Sequence, residues 1–341
     1  MDPLVLNPFT SDAFSFLSLT DSINKLPFTP GRLGELGLFA ESGIPTTGIM
    51  VEENNGFLSL INASKRGGPG ETRPKNPRTA RTLNASHYQI DDTILAEEVQ
   101  SVREFGLPAT PRTVETYLGQ RMAQITPNFD ATLEFQRVGA LSGIILDKNG
   151  ATVYNLFTEF GVTQAAAISF GGLASTVKPR QVSATVVRTI KKLLGGIAMK
   201  GVGAMCSDTF WDALITHPDV EKTYLYQEGQ RLRDGIAYAQ LDFGGIHWEN
   251  YQGYVPLNDG TSNVTPFIPA GAVLFYPLGV PNFFRTVFAP ADYNETVNTI
   301  GLPRYAKAIP FDNNKGVRLE MQANPLSYCT RPGALVSGTL A

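Results

Sequence analysis

The 341-residue chain is short of charge: 17 % of its residues are charged, against about 25 % in a typical soluble domain. Its hydrophobic content of 43 % is enough to build a sizeable core, which argues against intrinsic disorder. A formal net charge of −3 disfavours a protein that coats DNA through a basic surface. Because a free monomer needs a charged surface to stay dispersed, we expect much of this surface to contact other chains.

Cysteine usage and the first residues bear on the compartment. Cys206 and Cys329 form no CxxC pair, so neither structural zinc nor a disulfide framework is expected; one bridge between them is left open, but a reducing cytoplasm fits better. The opening MDPLVLNPFTSDAF lacks a basic segment followed by an apolar one, so no secretory signal is expected. The chain has no run of 18 apolar residues, so no membrane span is predicted.

The first 95 residues divide into an arm and a hairpin. Residues 1–50 are punctuated by Pro and Gly and carry few charges, with short helices predicted at Leu17–Lys25 and Gly31–Phe39. Residues 51–95 are interpreted as a long hairpin. Its first strand is GFLSLINAS (56–64), its return strand is TLNASHYQI (82–90), and a Gly/Pro-rich loop joins them.

Charge is concentrated around this hairpin. Residues 62–82 carry a net charge of +5, and residues 83–105 carry −4. The cations of the first run are Lys65, Arg66, Arg73, Lys75, Arg78 and Arg81, and the anions of the second are Asp91, Asp92, Glu97, Glu98 and Glu104. The basic run is interpreted as an extended arm, with a disordered surface loop as the alternative.

A long helix dominates the next part of the chain. After a helix predicted at Ile94–Phe105, Thr110 and Pro111 give a strong helix start. Apolar spacing continues to Ile145, which predicts a rod of roughly 35 residues that Pro127 should kink or interrupt. A turn at 147–150 then leads to a predicted strand at 151–161.

The remaining chain mixes helices and strands. Residues 176–290 are interpreted as a compact α/β-type unit with a helix at Arg180–Leu194, a buried strand ending at Cys206 and a helix after Ser207. A strand pair is predicted at Ile236–Tyr254, and strands with turns dominate from residue 266 onward.

No motif in the sequence predicts a catalytic or ligand-binding site. His87, His217 and His247 have no partners at metal-ligand spacing and are interpreted as structural, and Cys206 as a small buried thiol. The GGPG at 67–70 lacks the ending of a phosphate loop, and Gly201-Val202-Gly203 is a weak dinucleotide signal. The acidic pairs point apart on a strand or helix, which favours a solvated face over a Mg²⁺ site. We therefore predict no catalytic, cofactor or metal site and no enzyme.

Several long sequence segments resemble a known family and occur in the same order along the chain. They include FSFLSLTDSINKLPFTPGRLGELGLF at 14–39, AEEVQSVREFG at 96–106, EFQRVGALSGIILDKNG at 134–150, APADYNETVNTIGLPRYAK at 289–307 and LEMQANPL at 319–326. The chain resembles the lambda-type phage major capsid proteins, the capsid protein E family. This resemblance implies an α+β fold of the Hong Kong 97-like phage capsid type.

The resemblance also implies the parts of that fold. They are an N-terminal arm (1–50), an extended hairpin loop (51–95), a peripheral domain with its spine helix (96–175, the helix at about 110–146), an axial domain (176–284), and the return strands of the peripheral domain with a C-terminal arm (285–341).

The implied function is self-assembly into the pentamers and hexamers of an icosahedral phage head that encloses double-stranded DNA without specific contacts. Implied partners are further copies of the chain, a portal, a scaffold and a decoration protein; no membrane partner is implied, and the location is the virion, with the host cytoplasm during assembly. The alternatives are an encapsulin-like cargo compartment and a soluble enzyme. From the residues, we predict that the basic run contacts the acidic run of a neighbour and sets register, while the apolar arm and sheet edges supply most of the association.

Overall fold

The computed structural model describes residues 15–25, 31–54, 78–99, 114–173, 176–221, 223, 240–256, 264–313 and 315–340. The helices in these ranges are α1 (Phe16–Lys25), α2 (Arg32–Glu35), α3 (Ala96–Val99), α4 (Val114–Ser142), α5 (Leu156–Phe160), α6 (Pro179–Leu193) and α7 (Asp208–Ile215). None of the helices described is long and apolar enough to cross a membrane.

Strands make up much of the rest. In chain order they are β1 (Phe39–Gly43), β2 (Gly48–Asn54), β3 (Arg78–Asn84), β4 (Tyr88–Leu95), β5 (Ile144–Leu146), β6 (Thr152–Asn155), β7 (Ile168–Ser169), β8 (Gly201–Cys206), β9 (Gln240–Phe243), β10 (Ile246–Asn250), β11 (Tyr254–Pro256), β12 (Val264–Pro266), β13 (Ala272–Leu278), β14 (Phe284–Phe288), β15 (Tyr305–Pro310), β16 (Gly316–Ala323), β17 (Pro325–Cys329) and β18 (Val336–Thr339). The chain forms two compact units. The first comprises Met1–Ile49, Leu83–Glu134 and Thr286–Ser327, and the second comprises Met50–Thr82, Phe135–Arg285 and Tyr328–Ala341.

The first unit is a helix-covered sheet. Its antiparallel sheet has the order β15-β16-β4, and α1 and α4 pack on one face. Alternate residues of β16 point into this core, because successive side chains of a strand point to opposite faces of the sheet. The core residues are Leu19, Ile23, Ile94, Leu118, Met122, Phe129, Ala306, Val317, Leu319, Met321 and Ala323.

The second unit contains a six-stranded mixed sheet of order β7-β18-β13-β8-β10-β9. Within it, β8 and β10 run parallel, with Val202 opposite Ile246. Four aromatic side chains form the centre of its core, with ring centroids 5.1–6.2 Å apart: Phe170, Phe210, Trp248 and Phe275. Residues 176–284, predicted as the axial domain, fall within this unit.

The long helix is described from Val114; it passes through Pro127 and ends earlier than predicted. It ends at Ser142, because Gly143 adopts a positive φ of 83° and a Cβ there would meet the Phe157 ring at 2.4 Å. Pro127 lies on the exposed side of the helix together with Ala123, whose carbonyl loses its usual donor. Because solvent reaches that carbonyl, the helix continues instead of breaking.

The strand predicted at 151–161 is wrong in its second half. Only Thr152–Asn155 is a strand, and Leu156–Phe160 is helix α5. Asn155 caps this helix, since its Oδ1 accepts hydrogen bonds from the backbone N–H groups of Phe157 (3.0 Å) and Thr158 (3.3 Å). Gly161, at a φ of 59°, ends it.

Three predictions near the N-terminal arm also need correction. Of the helix predicted at Gly31–Phe39, only Arg32–Glu35 (α2) is helical, because Gly37 takes a positive φ and the chain then enters β1. The predicted return strand (82–90) is two strands, β3 and β4, and β4 pairs with β16 instead of the hairpin. Pairing with β16 also keeps Ile94 and Leu95 extended, so the helix predicted from Ile94 begins at Ala96. The first hairpin strand predicted at 56–64 lies outside the described residues.

Candidate subunit interface

The predicted basic contact residues are described only in part. Arg78 begins β3, and Arg81 lies further along it. The Arg81 guanidinium lies beside Gly161, at 3.1 Å from the position of a Cβ on that glycine, and so faces the carboxyl end of α5. Arg81 therefore packs within its own subunit. Lys65, Arg66, Arg73 and Lys75, together with the acidic Glu104, lie outside the described residues.

Two of the predicted acidic contact residues are paired inside the subunit. Arg121 of α4 places its Nε 3.5 Å from Asp92 Oδ2 and its Nη2 3.4 Å from Glu98 Oε2. Tyr117, one helical turn earlier, donates its hydroxyl to Glu98 Oε2 at 2.6 Å. Burial and this hydrogen bond raise the pKa of Tyr117, which keeps the phenol protonated as the donor. Asp92 and Glu98 thus join β4 and α3 to the long helix.

Asp91 and Glu97, the other two, are exposed. Asp91 points to the opposite face of β4 from Asp92, as the strand period predicts, and its Oδ1 accepts a hydrogen bond from Gln89 Nε2 at 2.7 Å. Glu97 lies in the first turn of α3. These two carboxylates are the described part of the acidic run that another chain could reach.

The segment after β14 forms a rigid loop with an apolar surface. Three large side chains within six residues are exposed: Val297 by 65 %, Ile300 by 69 % and Leu302 by 43 %. The backbone is held at the end of the loop, since Gly301 donates to the carbonyl of Ile44 at 2.9 Å and Leu302 donates to the Tyr305 hydroxyl at 2.8 Å. A Cβ on Gly301 would lie 2.0 Å from the Phe288 carbonyl oxygen. This apolar loop (297–302) is therefore a fixed hydrophobic surface.

A patch of charge lies beside the apolar loop. Lys307 Nζ binds Glu295 at 2.8 and 3.1 Å and lies 4.8 Å from the centre of the Tyr293 ring. Burial first, and then the neighbouring Glu320, raise the pKa of Tyr293. The amide of Asp292 donates to Gln322 Oε1 at 3.1 Å. These contacts hold the residues before the loop against the outer face of the sheet β15-β16-β4.

The histidines and the cysteine considered as metal ligands or nucleophiles contact neighbouring protein groups. His217 is buried and its Nδ1 accepts from the backbone of Asp219 at 3.2 Å, and His87 Nδ1 lies 2.8 Å from Asn324 Oδ1. Cys206 is a fully buried free thiol, as predicted, and burial raises its pKa, so it is not an activated nucleophile. In the described ranges no three His, Cys, Asp or Glu side chains come together as metal ligands would.

Comparison with known families gives this arrangement a context. Residues 15–340 match the family model described as phage major capsid protein E. The chain belongs to the phage major capsid protein E family. Its function is that of a major capsid protein of a phage head, and the virion is its location.

Curated relatives agree with this assignment over nearly the whole chain. The major capsid protein of Pseudomonas phage KPP10 is 26 % identical, with 98 % of this chain and 99 % of that one covered. The major capsid protein of Salmonella phage Felix O1 is 22 % identical, with 95 % of each chain covered. The resemblance found in the sequence is thereby confirmed.

The fold of this capsid protein also matches solved structures. A protein assigned as the capsid protein of a prophage (E. coli CFT073) superposes with a TM-score of 0.59 at 13 % identity, covering 94 % of this chain and 97 % of that one. The α+β fold of the Hong Kong 97-like phage capsid type, expected from the resemblance, is confirmed.

Sequence reasoning missed two features of this surface in the capsid protein. The partner of Asp92 and Glu98 is Arg121, which stands far from them in the chain and carries no local signal. The apolar loop did carry a signal, because Val297, Ile300 and Leu302 are large apolar residues in a stretch otherwise rich in Asn, Thr, Gly and Pro.

Proposed function

We propose that the protein assembles, as hexamers and pentamers, into a closed icosahedral shell that holds double-stranded DNA by containment. The family match over residues 15–340 carries this proposal. The near-neutral net charge of −3 supports it, since a wall that contains DNA does not need to condense it. The exposed apolar loop supports it as well, because a fixed hydrophobic surface is expected where subunits associate.

The proposal extends to parts and partners. The peripheral domain is proposed to include the spine helix (α4) and the sheet β15-β16-β4, and the axial domain to include the six-stranded sheet. A portal, a scaffold and a decoration protein are the partners that the family suggests. Assembly in the host cytoplasm and the lack of enzymatic activity belong to the same proposal.

Imaging purified particles by electron microscopy tests the proposed function. We expect megadalton icosahedral shells that contain phage genomic DNA when they are taken from infected cells. Particles that contain a host enzyme instead would favour the encapsulin-like alternative. A small discrete oligomer by light scattering would favour the soluble-enzyme alternative and contradict the proposal.

We propose that the basic run sets the register between subunits, and charge reversal tests this. The variant R73E/K75E/R78E should remain folded, because cations in a Gly/Pro-rich run are not expected to be buried in a core. Its shell yield should fall at least tenfold, since a heterologous contact is used by every subunit of a ring. The matched control is K191E/K192E/K200E, which reverses three exposed lysines elsewhere. Normal shells from the first variant would rule the pairing out.

The apolar loop is proposed to contribute hydrophobic association energy. Burying an isoleucine side chain is worth about 1.5–3 kcal/mol, so Ile300→Asp should raise the subunit concentration needed for assembly by at least tenfold. The measurement is shell yield against subunit concentration by sedimentation. Val153→Asp, at another exposed apolar side chain, is the control and should assemble normally. An unchanged threshold for Ile300→Asp would show that the loop stays outside the contacts.

A further inference from the structure

Helix α6 lies in a segment of the chain that carries positive charge and no negative charge. Between Lys178 and Ser207 the sequence contains six Lys and Arg residues and not one Asp or Glu. All six side chains are exposed, and they belong to Lys178, Arg180, Arg188, Lys191, Lys192 and Lys200. Because the whole chain has a net charge of −3, this surface is opposite in sign to the average of the molecule.

The helical repeat places four of these cations on one side of α6. At 3.6 residues per turn they fall within an arc of about 120° and along roughly 18 Å of the helix axis. We call this surface the basic face; it consists of Arg180, Arg188, Lys191 and Lys192. The buried side of the helix lies away from it and consists of Pro179, Ser183, Val186 and Ile190. The basic face is therefore free to meet a partner while the helix stays packed on its own unit.

The cations of the basic face have no carboxylate to neutralise them within the part of the chain that the structure describes. Lys178, just before the helix, lies 3.8 Å from Asp219 Oδ2, but no described Asp or Glu oxygen lies within 4 Å of the basic face. Arg188 stands three and four residues before Lys191 and Lys192, a spacing at which like charges repel on a helix. An anionic partner would remove this repulsion.

The helix dipole accounts for only part of this charge. Cations are favoured in the last turn of a helix, where Lys191 and Lys192 lie, and they are disfavoured in the first turn, where Arg180 lies. Nothing within the helix therefore favours a cation at Arg180. A ligand that spans both ends of the basic face accounts for all four side chains.

We propose that the basic face of α6 binds the phosphate backbone of the enclosed double-stranded DNA. This inference rests on the proposed function, because it requires a shell that encloses DNA, and it goes further by naming a surface that contacts it. A duplex carries one negative charge for about every 1.7 Å of its axis, so a face of this length meets several phosphates. Flexible Lys and Arg side chains bind phosphates without reading the base sequence. Helix α6 has no aromatic residue, so stacking on unpaired bases is not expected.

Lysine acylation of intact heads tests the contact on the wild-type protein. Filled heads, and the same heads after their DNA has been released, are treated with acetic anhydride, which is small enough to enter a shell, and each modified lysine is quantified by mass spectrometry. We expect Lys191 and Lys192 to react about tenfold more slowly in filled heads, because phosphates cover them. Lys148, exposed in the turn after β5, is the control and should react equally in both.

The outcomes separate this inference from the proposed function. If Lys191 and Lys192 react fast in filled and emptied heads alike, solvent covers the basic face and the inference is wrong. If they react slowly in both, another protein chain covers the face, and DNA binding is again ruled out. If no shells form, or if shells from infected cells hold no DNA, the proposed function itself fails.

Removing the charge tests what the contact does. The variant R188Q/K191Q/K192Q keeps good helix formers at three exposed positions, so folding and shell yield should match those of the wild type. Its filled heads should release DNA about tenfold faster on heating, because phosphate contacts have been lost. The matched control is R188K/K191R/K192R, which keeps every charge and should retain DNA as the wild type does. Equal release from all three proteins would contradict the proposal.

Discussion

Replacing Trp248 by alanine should cost the subunit about 3–5 kcal/mol of unfolding free energy, which is a large share of the stability of a typical domain. The side chain is fully buried, and its ring centroid lies 5.5 Å from that of Phe275 and 5.9 Å from that of Phe170. Its Nε1 donates to the carbonyl of Phe243 at 3.0 Å. The substitution empties the centre of an aromatic cluster whose members touch one another, and the cavity cannot close without moving several rings.

Denaturant unfolding of dissociated subunits, followed by circular dichroism, measures this loss. Trp248→Phe is the matched variant, because it keeps an aromatic ring and loses mainly the hydrogen bond to Phe243, at a cost nearer 1 kcal/mol. Shell yield should follow the same order. A loss below 1 kcal/mol for Trp248→Ala would mean that the cluster does not support the six-stranded sheet.

Replacing Arg304 by methionine should be nearly as damaging in the first unit, with an expected loss of about 3–5 kcal/mol. The Arg304 guanidinium forms an ion pair with Asp130 of α4, and the two side chains are only 6 % and 5 % exposed. Its Nη1 also lies 3.5 Å from the carbonyl of Ile23 at the end of α1. Methionine fills similar space but removes the cation that faces a buried carboxylate, and the charge left behind is costly.

A double variant separates the ion pair from the packing. Asp130→Leu combined with Arg304→Met removes both charges, and it should recover most of the loss seen for Arg304→Met alone. Thermal and denaturant unfolding of the four members of this cycle give the coupling energy. If the double variant is no more stable than the single one, the loss comes from shape and not from an isolated buried charge.

The sequence allowed the family and the α+β fold to be predicted, but it misplaced several elements. Helix α4 was predicted because apolar residues recur over many helical turns, and strand β8 because it is a continuous run of apolar and small residues. Leu156–Phe160 was interpreted as strand because five residues carry too little period to decide, and the decision comes from one asparagine cap. Pairing of β4 with β16, more than 200 residues away, kept Ile94 and Leu95 extended where a helix was predicted. No local pattern reports such a partner.

The candidate interface was less predictable than the fold, for a physical reason. Charge runs indicate segments that solvent or another chain can reach, but they do not predict which residue each charge pairs with. Arg121 shows the limit of such reasoning: it pairs with both Asp92 and Glu98 within the subunit, although both were predicted to contact a neighbour. Backbone groups at a sheet edge leave no trace in side-chain composition, so the cover of the β15 edge by Thr20 required the register of the sheet to be known.

Helix α1 covers one edge of the sheet β15-β16-β4, because the Thr20 hydroxyl bonds to both the N–H and the C=O of Ala306 at 3.4 Å. Asn24 of the same helix donates to the carbonyl of Arg304 at 2.9 Å. A strand added at this point of β15 would have to displace both side chains, so α1 protects the edge of the sheet within the subunit.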